Sequence, residues 1–143
     1  MAADRTAHVT WSGSLMEGSG TITSVESGAL GPLDVTWAAR TEDSEGLTSP
    51  EELIAAAHAA CFSMALSHGL AEAGSPPEKL ETSATLTFVP GTGITRSALR
   101  VRGSVPGMDE AAFVAAAEDA RKNCPVSKAL AAVPEITVDA ALV

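Results

Sequence analysis

The chain has no tyrosine and only five other aromatic residues, Trp11, Trp37, Phe62, Phe88 and Phe113. A base-stacking platform needs more of them, with basic residues around each. Basic residues are scarce too. Nine Lys plus Arg stand against eighteen Asp plus Glu in 143 residues, a net charge of −9 and a pI near 4.6. That balance excludes a broad nucleic-acid surface and docking on anionic lipid, so neither is expected as a partner. Two cysteines are too few for a disulfide scaffold. No internal repeat is present, and no low-complexity tract beyond Ala-rich segments. The longest apolar run, Leu53 to Leu66, is interrupted by His58 and Ser63, and is expected to be too short and too mixed to span a bilayer. No apolar segment follows Met1 that would read as a targeting signal. The expected compartment is therefore the cytoplasm, where thiols stay reduced unless they have redox work.

What is present is enough for a core. Hydrophobic residues make up 45% of the chain and the mean hydropathy is +0.17. At this length one domain over residues 1–143 is expected, with no metal or disulfide staple needed. Thr6 to Trp11 alternates, Thr21 to Val25 is β-branched, and Leu33, Val35, Trp37 and Ala39 alternate with polar or small neighbours. Glycines at 13, 18, 20, 28 and 31 break these runs, which predicts a small antiparallel meander ending at Arg40. Ser49, Pro50 and Glu52 form an N-cap, a first-turn proline and a capping box. They predict a helix of about 22–24 residues, apolar nearly all round and so buried at the centre of the fold, stopped by Gly74 and Ser75-Pro76-Pro77.

Two more strands are expected at Thr85 to Val89 and Ile94 to Val105, joined by Pro90-Gly91-Thr92-Gly93. Asp109 to about Lys122 reads as an amphipathic helix with Phe113, Val114 and Ala117 inward. A short helix, Pro125 to Ala132, and a last strand, Glu135 to Val143, complete the chain. The predicted class is α+β, with antiparallel sheets packed around a central helix.

The two thiols differ in setting. Cys61 lies within the apolar helix. It is either an inert core thiol or, if a cation stands beside it, a reactive one, since an apolar site alone raises a thiol's pKa. Arg40 is the best-placed cation by sequence. Cys124 precedes Pro125 at the N-cap of a helix, where free N–H groups favour a thiolate; it reads equally as a kink residue. The 62 residues between them exclude a Cys-x-x-Cys motif and clustered zinc ligands. His58 stands one turn before Cys61. It is close enough to touch the thiol, though a lone helical histidine is more often a packing or surface residue. No phosphate loop or nucleophile elbow is found, and no cofactor or metal is expected.

The segment Thr48-Ser49-Pro50-Glu51-Glu52-Leu53-Ile54-Ala55-Ala56-Ala57-His58-Ala59-Ala60-Cys61-Phe62-Ser63-Met64-Ala65-Leu66 resembles the signature helix of the OsmC/Ohr family of osmotically inducible and organic-hydroperoxide-resistance proteins. Asn123-Cys124-Pro125-Val126-Ser127 resembles its second cysteine motif. The arginine of the Ohr type comes early, in a Gly-Arg context, and Ser12 to Gly20 contains none. Trp37-Ala38-Ala39-Arg40 and the stretch Gly20 to Gly28 look OsmC-like. The resemblance implies an intertwined homodimer and thiol peroxidase chemistry on a hydroperoxide substrate. In it Cys61 is the peroxidatic thiol and Cys124 the resolving thiol, while Arg40 stabilises the thiolate and Glu51 holds that arginine. A dithiol or lipoyl-type reductant would restore the thiols. Glu51 lies ten residues before Cys61, roughly 15 Å along one continuous helix. It would therefore act through Arg40, across a helix break or from a partner chain. A redox sensor or ligand-binding protein on the same fold is the alternative.

Overall fold

The computed structural model describes residues 2–143. The chain divides after Pro50 into two compact units. In the first unit, β1 (Ala7–Ser12), β2 (Ser19–Val25) and β3 (Leu33–Val35) form the expected antiparallel meander in the order β1-β2-β3. Trp11 pairs with Gly20 across β1 and β2. A Cβ at Gly20 would sit 2.6 Å from the Trp11 ring and 3.1 Å from Val35 Cγ2, so the indole lies on bare backbone. A larger residue there would push the ring off the sheet.

The alternation that extends a strand through Ala39 is overturned here. The strand stops at Val35, and α1 (Trp37–Thr41) follows. Thr36 is the reason. Its backbone is extended, and its hydroxyl accepts the Ala39 N–H at 3.1 Å, which caps a helix over residues that favour one. Arg40 thus sits in the last turn of a helix rather than at a strand end.

The second unit begins with α2 (Pro50–Glu72), 23 residues with Pro50 at its start, as expected. It ends where Gly74 turns left-handed at φ +85. The Ser75 N–H reaches Leu70 O at 2.9 Å and the Gly74 N–H reaches Ala71 O at 3.0 Å, the paired bonds of a Schellman cap. The next strands, β4 (Lys79–Val89) and β5 (Gly93–Ser104), form a long antiparallel hairpin; β4 starts six residues earlier than its β-branched stretch suggests. Next, α3 (Glu110–Asn123) is capped by Asp109, whose Oδ1 accepts the Ala112 N–H at 2.8 Å. Its buried face is Phe113, Ala117 and Ala120, with Val114 left exposed. The short α4 (Pro125–Ala129) leads to β6 (Glu135–Leu142).

The α+β class holds, with one departure in the second sheet. β6 pairs with β5 in parallel, from Arg96 opposite Glu135 to Gly103 opposite Leu142, so this sheet is mixed rather than antiparallel. Parallel neighbours need a crossover of a dozen residues or more, and α3 with α4 supplies it.

One face of α2 carries the core. His58, Phe62, Leu66 and Leu70, each four residues apart, are buried along it. The apolar members join Leu99 and Val101 of β5, Val105 just after it, Phe113, Ala117 and Ala120 of α3, and Cys124. Gly103 makes that packing possible, since a Cβ there would lie 2.6 Å from Phe113 Cζ. The expectation of a helix buried on every side is corrected, however. Ala56, Ala57, Ala60, Met64, His68 and Ala71 are exposed, Met64 to 73%. By length and composition α2 could also cross a membrane, because the helix is longer than the run Leu53 to Leu66. Its buried stripe is nonetheless seated in the core, and the core helix of a soluble protein meets the same test.

Candidate functional site

Cys61 stands midway along α2, beside the buried stripe and half-buried itself. Cys124 is fully buried at the joint of α3 and α4. Pro125 cannot donate the N–H that would continue α3 and disfavours helical geometry at Cys124. The chain breaks at φ −55, ψ 128, with the Cys124 N–H still bonded to Ala120 O at 2.8 Å, and restarts as α4. The break turns the Cys124 side chain into the core.

The two residues, far apart in sequence, meet there as free thiols. Cys61 packs against the core cluster that contains Cys124. The Cys61 thiol is pushed above its ordinary pKa, first by burial and then by the neighbouring Cys124 thiol, with the Val126 backbone in the first turn of α4 acting the other way. Within this unit the environment therefore favours the neutral thiol, and an ionised Cys61 needs a cation.

The other two predicted residues are placed as follows. Arg40 lies in α1, its guanidinium carbon 5.9 Å from the Trp37 ring centroid, a cation–π arrangement. Glu51 is buried in the first turn of α2. Because α2 is unbroken from Pro50 to Glu72, a helix break no longer offers Glu51 a route to Cys61. Among the described residues no group of three or more His, Cys, Asp or Glu could hold a metal ion.

His58, which the sequence allows to touch Cys61 but reads more often as a packing or surface residue, is instead buried between two serines beside the pair. His58 has no exposed surface. Its Nδ1 lies 2.7 Å from Ser97 Oγ on β5 and its Nε2 lies 2.8 Å from Ser127 Oγ on α4. Burial pushes its pKa down, so the ring is held neutral, donating to one hydroxyl and accepting from the other. A signal was available in the sequence. Ser97 shares the inward row of β5 with Leu99, Val101 and Gly103, and a hydroxyl in an apolar row demands a partner.

A family model described as OsmC-like protein matches residues 42–139. The chain is 45% identical over 132 residues to peroxiredoxin OsmC of Escherichia coli (strain K12), covering 90% of each protein. Among solved structures it is similar to the organic hydroperoxide resistance protein OhrB of Bacillus subtilis, at 27% identity over 96% of this chain and 98% of that one, with a TM-score of 0.64. The OsmC-like protein from Mycoplasma pneumoniae shares the fold, at 19% identity, 99% coverage of both chains and a TM-score of 0.68.

Proposed function

The chain belongs to the OsmC family, and from that premise we propose that it is a two-cysteine thiol peroxidase acting on hydroperoxides. The observation that carries the reading is the packing of half-buried Cys61 against the core cluster in which Cys124 is buried, with Cys124 turned inward by the break at Pro125. The relatives support it by name, as a peroxiredoxin and as an organic hydroperoxide resistance protein.

The Cys61 thiolate attacks one oxygen of the peroxide. The O–O bond breaks, an alcohol or water leaves with a proton, and Cys61 becomes a sulfenic acid. The Cys124 sulfur then attacks the Cys61 sulfur, the S–O bond breaks, and water departs with the Cys124 proton. An external dithiol, such as a lipoyl-type carrier of a reducing, cytoplasm-like compartment, reduces the disulfide by two exchange steps. Arg40 supplies the positive charge that Cys61 needs, and Glu51 holds Arg40. The apolar side chains near Cys61, Phe62 and Ala65 among them, favour organic peroxides over hydrogen peroxide.

The working form is a homodimer. The exposed stripe Ala57, Ala60, Met64 and Ala71 on α2 is small and apolar, suited to a second copy of the same helix.

The test is one equivalent of an organic hydroperoxide added to the reduced protein, followed by intact mass. The parent loses two hydrogens; Cys124→Ser yields a sulfenic acid at Cys61 that dimedone traps; Arg40→Ala slows the reaction roughly tenfold or more. No oxidation within minutes ends the peroxidase reading. Oxidation that a dithiol does not recycle leaves a redox sensor instead.

A further inference from the structure

We propose that His58 is a positioning residue for disulfide closure: through Ser127 it holds the first turn of α4, and with it Cys124, against Cys61. The proposal rests on the two-cysteine reading above.

The ring spans two elements that differ in rigidity. Ser97 belongs to the central strand of its sheet, paired with Leu86 of β4 on one side and Ile136 of β6 on the other. Bonded there at 2.7 Å, Nδ1 is fixed to the sheet. The opposite end, Nε2, reaches Ser127 in a helix of five residues. That helix has little of its own to hold it. Cys124 occupies its N-cap without a side-chain capping bond, and a helix this short is marginal by itself. Ser127 is three residues beyond Cys124, in the same turn as Val126, which packs against the core cluster that holds Cys124, as Cys61 does. The histidine thus ties the resolving turn to the sheet and to the helix that carries Cys61.

Closure is demanding in geometry. A disulfide needs Cα atoms about 4.4–6.8 Å apart and a dihedral near ±90°. Peroxide attack makes no such demand on α4, because it needs only Cys61 and its cation. In the closing step the Cys124 S–H is lost, the S–S bond forms, the Cys61 S–O bond breaks and one water leaves. His58 touches neither sulfur's reaction partner; it acts through where Cys124 stands. A fully satisfied buried polar cluster fixes one arrangement where an apolar packing would tolerate several.

Two amides separate the ends of the ring. A glutamine places its amide near Nε2, within reach of Ser127; an asparagine places it near Nδ1, within reach of Ser97 alone. The protein is reduced, mixed with one equivalent of cumene hydroperoxide, and quenched at intervals with dimedone for mass analysis. His58→Asn and Ser127→Ala are expected to slow closure roughly tenfold or more while sulfenic acid forms within about twofold of the parent rate, so that trapped sulfenic acid accumulates. His58→Gln is expected to restore closure to within about threefold of the parent. Closure at the parent rate in His58→Asn and Ser127→Ala overturns the proposal, as do equal effects of Gln and Asn, or a joint slowing of both steps. Ser127→Ala, which removes a single oxygen, keeps the test open if the His58 variants do not fold. Failure of the parent and of Cys124→Ser to form sulfenic acid defeats the peroxidase reading instead, and is read in the same experiment.

Discussion

The two units of the chain bury themselves to very different degrees. The second, Glu51–Val143, has a continuous core running from Phe62 through Leu99 and Val101 to Phe113 and Cys124. Among its described residues the first has a single buried hydrophobic one, Ile22. All six residues of β1 are exposed, including Val9 at 61% and Trp11 at 40%, and Leu15, Met16 and Leu30 face solvent as well. Each unit nevertheless uses the same local devices: a glycine under an aromatic ring (Gly20 beneath Trp11, Gly103 beneath Phe113) and a polar N-cap (Thr36, Asp109). The contrast therefore lies in burial, not in local design. One unit is stabilised by its own interior. The other presents apolar surface of the kind that a second copy covers.

The largest break in this contrast comes from the core. Phe113→Ala is expected to cost about 3–5 kcal/mol in urea unfolding, because it opens a cavity where Gly103 and the ring now meet. Trp11→Ala should cost much less in dilute protein. If the proposed homodimer covers that surface, the parent's unfolding midpoint should also rise with protein concentration, and Trp11→Ala should flatten that rise. A midpoint independent of concentration would mean that the first unit stands alone.

Acid sharpens the comparison next. Burial holds His58 below its ordinary value of 6.5 in the folded chain. The unfolded chain therefore binds more protons as pH drops below about 6.5, and stability falls with it, with no loss above that value. His58→Gln should remove this slope. The effect belongs to the second unit, so hydrogen exchange at β5 and α4 should report it while β1 to β3 do not. The smallest effects come from the caps. Thr36→Ala and Asp109→Ala should each cost about 1 kcal/mol locally. Asp109→Ala should lower global stability without changing the rate of Cys61 oxidation; Thr36→Ala should do the reverse, since α1 carries Arg40. Equal oxidation rates in the two variants would detach Arg40 from the chemistry.

Much of this was legible in the sequence where residue chemistry acts locally. Pro50 and Gly74 mark both ends of α2, Asp109 opens α3, and Cys124-Pro125 breaks it. The site's two thiols were legible from their motifs. The direction of β6 was not, because alternation has the same period whichever way a strand runs. Nor was the turn into α1, since Leu33 to Arg40 alternates well enough for a strand while Thr36 satisfies a helix. The His58 cluster escaped for a third reason. Its bonds join residues 39 and 69 positions apart, and no local pattern encodes a pairing that the tertiary fold alone creates.

The parallel seam between β5 and β6 has a consequence for assembly. A hairpin closes through its own turn, so β4 and β5 can zip as soon as Pro90 to Thr92 bends. A parallel strand must wait for its crossover, with the larger loop-closure entropy that this entails. Here the crossover is the segment that carries Cys124. Seating the final strand and delivering the second thiol are thus one folding event, and a chain still short of it, during synthesis or after partial unfolding, holds Cys61 without the neighbour that would close on it.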